Sequence, residues 1–179
     1  MIKTIVKKVF IAGSVGVGKT TLIKELMLQH KDVVGGFYTD EIKDDGRRRG
    51  FKIVSLDGRE GLFSSKGMKT AHKYGKYGVD LSVLEAIGVS AMLDALAHKK
   101  IVVVDEIGSM EILSKKFHET LMKCLLSDIY VLATMRVKSQ PFSDDIKQLA
   151  DKKIFVLNRE NFADIKNQIR DWITQCLKE

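Results

Sequence analysis

The chain has 179 residues, 45% hydrophobic and 30% charged, a length of one ordinary domain with a large core, which excludes collagen-like, low-complexity and disordered classes. Its 30 Lys and Arg against 23 Asp and Glu give a formal charge of +7, which admits an acidic partner (nucleotide, RNA or an anionic surface) without choosing among them. Two cysteines, Cys124 and Cys176, are too few for a disulfide scaffold and fit a reducing compartment.

Lys3, Lys7 and Lys8 followed by VFIAGSVGVG imitate the start of a signal peptide, but glycines interrupt the run and Lys19 ends it without a cleavage-like site. It reads as strand plus loop. No stretch approaches the ~18 apolar residues of a membrane span; a cytoplasmic protein without a membrane partner, and a monomer, are expected.

The elements alternate along the chain. Lys8–Ala12 is a short apolar strand, and Lys19–Gln29 has helical spacing, with Leu22, Ile23, Leu26 and Met27 on one side. Gly36–Ile42 and Phe51–Leu56 are β-rich runs separated by the turn-like KDDGRRRG, and Asp57-Gly58 turns into a third strand, Gly61–Ser64. Residues 65–79 show no period and read as loop. Asp80–Ala97 returns to helix spacing, with Leu81, Leu84, Ile87, Met92, Leu93 and Leu96 inward. Strand Ile101–Val104, helix Ser114–Leu126, strand Ile129–Thr134, a loop with Pro141, helix Ser143–Ala150 and strand Lys153–Leu157 follow. Asn161–Leu177 closes as an amphipathic helix with Ile165, Ile169, Trp172, Ile173 and Cys176 inward. Apolar strands flanked by helices belong to a mostly parallel sheet covered on both faces. The expected fold is one three-layer α/β domain over residues 1–179, with a small antiparallel insertion at about 36–64.

Gly13-Ser14-Val15-Gly16-Val17-Gly18-Lys19-Thr20 is a full G-x-x-x-x-G-K-T between a strand and a helix, with Thr21 behind it. Such a loop wraps phosphates with its N–H groups at a helix N-terminus. Lys19 reaches the β- and γ-phosphates, and the Thr20 hydroxyl ligates Mg²⁺. The alternative is a glycine-rich turn without a ligand. Ile101-Val102-Val103-Val104-Asp105-Glu106 then buries a strand and delivers two acids to its carboxyl end. Asp105 is placed to hold Mg²⁺, and Glu106 to activate water as a general base.

Weaker clusters flank this pair. Arg47, Arg48 and Arg49 could neutralise phosphates, supply an arginine finger in cis, bind RNA, or merely tip a charged hairpin. Thr134, ending the strand after the Asp-Glu strand, could sense the γ-phosphate or the attacking water. Asn158 and Arg159 follow the last strand, where α/β folds place ligands, and could contact base or ribose; Asn158 or Asn161 could equally cap the final helix.

A base beside water fits a nucleoside triphosphatase, and no lid segment follows the Asp-Glu strand. A nucleotide- or nucleoside-kinase-like phosphotransferase is the second reading, its acceptor entering near residues 65–79. A nucleotide-gated RNA or protein binder is the third.

The chain resembles the THEP-type nucleoside-triphosphatases, small P-loop enzymes related to the cancer-related nucleoside-triphosphatase. The likeness runs through GSVGVGKTTL (13–22), GFYTDEI…GRRRGFKIVSLDG (36–58), YGKYGVDLSVLE (74–85), VVVDEIGSMEILSKKF (102–117) and LNREN (157–161). It implies a RecA-like core and Mg²⁺-dependent hydrolysis of ATP, GTP and other nucleoside triphosphates with low base selectivity. It also implies the stated roles of Lys19, Thr20, Asp105 and Glu106. Val15 stands where the family often has Pro, which leaves a backbone cradle intact. Ser109 stands where it often has Lys, which removes a positive charge.

Overall fold

The computed structural model describes residues 5–137, 146 and 148–179, and among them nine strands form one sheet. In chain order these are β1 (Lys8–Gly13), β2 (Val34–Asp44), β3 (Arg47–Ser55), β4 (Glu60–Lys66), β5 (His72–Tyr74), β6 (Tyr77–Val79), β7 (Ile101–Ile107), β8 (Tyr130–Met135) and β9 (Lys152–Leu157). Helices among the described residues are α1 (Lys19–Met27), α2 (Leu81–His98), α3 (Lys115–Leu126) and α4 (Phe162–Lys178).

Alternation along the strands sorts apolar side chains to two faces. β1 sends Phe10 and Ala12 to one side, where α2 and α3 bring Met92, Phe117 and Leu121. It sends Val9 and Ile11 to the other, where α1 and α4 bring Leu22, Ile23, Ile169 and Trp172. In β7, Val102 and Val104 join the first cluster and Ile101 and Val103 the second. Both faces are therefore covered by helices, giving the three layers.

The sheet departs from the expected mostly parallel one. Its order is β5-β6-β4-β3-β2-β7-β8-β1-β9, parallel from β2 to β9 and antiparallel from β2 to β5. The cause is β2, whose first residues pair with β7 and whose remainder pairs with β3. The antiparallel strands thus extend the central sheet instead of standing apart from it. Gly36 permits this junction: a Cβ there would lie 2.0 Å from the Val103 carbonyl oxygen.

The antiparallel part also runs past residue 64. The segment 65–79, expected as loop, ends β4 and forms the β5–β6 hairpin. Its first strand, His72-Lys73-Tyr74, is exposed throughout, so it carries no apolar alternation. Arg47–Arg49 open β3 instead of lying between strands. The turn before them is Asp45-Gly46, both at positive φ (46° and 71°), which suits a two-residue hairpin.

Asp80 caps α2 by accepting hydrogen bonds from the N–H groups of Ser82 and Val83. Leu84–Val89 then widen into π-type turns before Ser90–His98 resumes the α-helix. Leu84 and Met92 are buried and Leu96 packs partly buried, but Leu93, expected inward, is 42% exposed. A wide turn carries an extra residue and disturbs the phase that a regular 3.6-residue spacing assumes. By length and composition Leu81–His98 would suffice to cross a membrane, contrary to the sequence expectation; it lies against the sheet instead, with Leu84, Met92 and Ala95 fully buried. Pro141 and most of the helix expected over 143–150 fall outside the described residues.

Candidate active site

The phosphate-loop sequence leaves β1 at Gly13 and enters α1 at Lys19. Gly16 and Gly18 hold φ of 79° and 106°, and a Cβ on Gly18 would meet the Phe162 ring at 3.0 Å. The first turn of α1 contains no acidic residue, and no side chain caps it. Its free N–H groups and positive dipole end are therefore left for an anion. Lys19, 6% exposed, folds back so that Nζ donates to the carbonyls of Gly13 at 3.0 Å and Ser14 at 3.1 Å. A phosphate oxygen would compete for the same ammonium.

Opposite the loop, the pairing of β7 with β8 jumps from Val104↔Ala133 to Ile107↔Met135. Asp105 and Glu106 thus face the single residue Thr134, a β-bulge that re-aims both acids. The Thr134 hydroxyl donates to Asp105 Oδ1 at 2.7 Å and accepts from the Glu106 N–H at 2.8 Å. Asp105 Oδ2 accepts from the Thr20 hydroxyl at 2.7 Å and from the Thr39 N–H at 3.2 Å. Asp105 is fully buried and makes no ion pair among the described residues. Burial pushes its carboxyl up, against the pull of those hydroxyl bonds. A buried carboxylate ringed by hydroxyls and lacking a cation is a ready place for one. No group of three His, Cys, Asp or Glu gathers among the described residues, so the oxygens of Thr20 and Asp105 are the best-placed pair for a divalent ion.

Glu106 carries φ of 68°, a left-handed conformation that costs a non-glycine residue energy and clusters at working sites. Its Oε1 accepts from Arg136 Nε at 3.2 Å. Both line a cavity of about 430 Å³ that also takes in Gly16, Lys19, Thr20 and Thr21.

Sequence reasoning missed several of the cavity's residues, three of them beside the acids and the phosphate loop. Arg136 lies two positions beyond Thr134, on the same side of an extended chain, so strand parity from Thr134 could have found it. Glu111, 4% exposed, sits in the short 3₁₀ turn Glu111–Leu113, and burial with Glu106 and Asp105 nearby pushes it up to about 8. An acid within the apolar run of MEIL was its signal. Thr39, on β2, had none. Tyr74 of the β5–β6 hairpin lies near Ser109 and Arg136, which hold its phenol below the usual range.

The remaining candidates separate. Arg48 stands in the cavity wall paired with Glu41, whereas Arg49 pairs with Asp44 at 2.8 Å and Arg47 is exposed. Val15 is 57% exposed at the cavity mouth, and Val17 packs into the core beside α4. Asn158 Oδ1 accepts from the N–H groups of Glu160 and Asn161, so Asn158 shapes the turn into α4. Asn158 and Arg159 are exposed and outside the cavity wall.

A family model described as NTPase matches residues 8–172. The nucleoside-triphosphatase THEP1 of Thermotoga sp. (strain RQ2) is 45% identical over 164 residues, covering 90% of this chain and 92% of that protein. The crystal structure of THEP1 from the hyperthermophile Aquifex aeolicus superimposes with a TM-score of 0.83 at 31% identity, over 90% of this chain and 96% of that one. The solution structure of a human cancer-related nucleoside triphosphatase gives 0.77 at 32% identity, over 94% and 98%.

Proposed function

The chain belongs to the NTPase family and hydrolyses nucleoside triphosphates to diphosphate and phosphate, and we propose that the reaction is Mg²⁺-dependent, weakly selective for the base, and run by Lys19, Thr20, Asp105 and Glu106. One observation carries this assignment: the hydrogen-bonded chain Thr20–Asp105–Thr134–Glu106 ties the phosphate loop to the candidate base.

The triphosphate lies along the N-terminus of α1, where free N–H groups and the helix dipole favour its charge. Lys19 exchanges loop carbonyls for β- and γ-phosphate oxygens. Thr20 and Asp105 would hold Mg²⁺, which supplies positive charge on those oxygens when bound. Few protein ligands with several phosphate and water oxygens is the donor balance that this ion prefers. Glu106 takes a proton from water as its oxygen bonds to the γ-phosphorus and the bond to the bridging oxygen breaks. Arg136 is the cation paired with the candidate base, and we assign it the cis role that was one of those open to the arginine triplet. Thr134 positions the two acids, since its one hydroxyl proton is given to Asp105.

Weak base selectivity is supported by the local engagement of Asn158 and the exposure of Arg159, and a reducing cytoplasmic site by two buried, unpaired cysteines. Phosphate release from ATP, GTP, CTP and UTP, with Mg²⁺ and with excess EDTA, tests the proposal. Comparable rates that vanish in EDTA are expected. A single base exceeding the others by ~10²-fold, or undiminished turnover in EDTA, would overturn the corresponding part.

A further inference from the structure

A triphosphate anchored on the loop after β1, with its metal oxygens at Asp105, ends beside β7. The cavity does not end there. It continues under β2, β3 and β4 to Phe51 and Phe63, with Met110 alongside. Strands step about 4.8 Å, so Phe51 and Phe63 stand about 10 and about 15 Å beyond the strand that carries Asp105. Water alone needs no such space.

The extension has its own chemistry. Its apolar floor includes Phe51, whose ring stacks at a tilt on Tyr77 with centroids 6.0 Å apart and lies 5.3 Å from the Arg48 guanidinium carbon. Its rim carries Lys24, Lys43 and Arg48 against Asp40 and Glu41, three cations to two carboxylates. Lys24 is paired with Asp40 at 2.9 Å, whereas Glu41 is shared between Arg48 and Lys43. One positive charge is therefore left over beside a planar aromatic surface. The position matters too: an in-line nucleophile arrives from the side opposite the leaving oxygen, and the extension opens on the β2–β4 side of the two acids.

We propose that this extension is a second-ligand subsite for a nucleoside 5′-monophosphate, its base on Phe51 and its phosphate at Lys43 and Arg48. The proposal rests on the reading of the phosphate loop as the triphosphate site, and goes beyond hydrolysis by adding a second small molecule on the nucleophile's path. A bound monophosphate restricts the approach of water, so it lowers phosphate release without displacing the triphosphate.

The test titrates AMP, CMP, GMP and UMP into the protein saturated with a β,γ-imido triphosphate analogue and Mg²⁺, read by calorimetry. At least one monophosphate is expected to bind the analogue complex. Phe51→Ala should weaken that binding ~10-fold or more while the analogue's affinity is kept. Because Phe51 also packs on Tyr77, Lys43→Glu at an exposed position is the second variant, with the same expectation. Steady-state phosphate release should fall as the monophosphate saturates. No binding by any of the four, strict competition with the analogue, or binding indifferent to both substitutions would each overturn the subsite. Failure of the analogue itself to bind would instead overturn the triphosphate reading.

Discussion

Glu106 and Arg136 are joined at 3.2 Å across the bulge between β7 and β8, so the carboxylate placed to activate water already holds a cation. The pair is partly exposed, and its direct contribution to stability is small. Its interest is chemical. A γ-phosphate carries more negative charge than one carboxylate, so Arg136 can change partners when substrate enters and leave Glu106 free to accept a proton.

Arg136→Ala should therefore lower kcat by roughly 10³-fold with little change in KM, as for loss of a cation felt mainly in the transition state. Arg136→Lys should recover part of that loss. A rise in KM at unchanged kcat would reassign Arg136 to ground-state binding.

Glu106→Gln should bind Mg²⁺-nucleotide normally and turn over at least ~10²-fold slower. Asp105→Asn should move the activity to higher Mg²⁺ concentration, since a neutral amide holds the ion less well. The two variants are compared by a Mg²⁺ titration of phosphate release; identical curves would mean that the adjacent acids share one role.

Lys19→Ala should cost about 10²–10³ in rate and weaken triphosphate binding, because developing charge on the phosphates loses its nearest donor. Half of wild-type turnover in this variant would exclude the loop as the site.

The placement of these groups was largely legible in the chain. Glycines at 16 and 18 announce a loop that only positive φ can close, and four apolar residues before Asp105 announce a buried strand ending at the sheet's crest. Other features had no local signature. The β5–β6 hairpin joins an exposed three-residue strand to the largely buried Tyr77–Val79, whose pairing comes from β4, a long-range partner. Leu93 turns outward because wide turns at Leu84–Val89 break the regular helical periodicity. Arg136 and Tyr74 meet only after β8 and the hairpin reach the same rim, which no spacing in the sequence records.

Glu111 gives a pH-dependent stability. Below its ordinary value of 4.5 the group is protonated in both folded and unfolded chains; between 4.5 and about 8 the unfolded chain releases the proton and the folded one keeps it. The folded state then binds more protons, so stability falls as pH rises through that window. Glu111→Gln removes the titration. In thermal unfolding without divalent ions, the variant should gain on wild type from pH 4.5 to 8 and hold the gain above; a pH-independent difference would contradict the assignment.

The arginine triplet should behave unequally in hydrolysis. Arg47→Ala and Arg49→Ala should change turnover little, as exposed charges do, while Arg48→Ala in the cavity wall should lose more, yet less than Arg136→Ala. Three equal, salt-sensitive losses would indicate a diffuse field instead.

The left-handed backbone of Glu106 sets stability against activity at a single position. Glycine would relieve the strain, but it has no carboxylate; asparagine and aspartate tolerate the conformation better than glutamate, but their side chains are one methylene shorter. Selection for thermal resistance alone would therefore drift toward Glu106→Gly, a chain that melts higher and hydrolyses only slowly. Selection for turnover holds the longer acid in its unfavourable conformation, and the cost is borne by the fold around it. A saturation library at this codon, sorted once for melting temperature and once for phosphate release, should yield two populations that scarcely overlap.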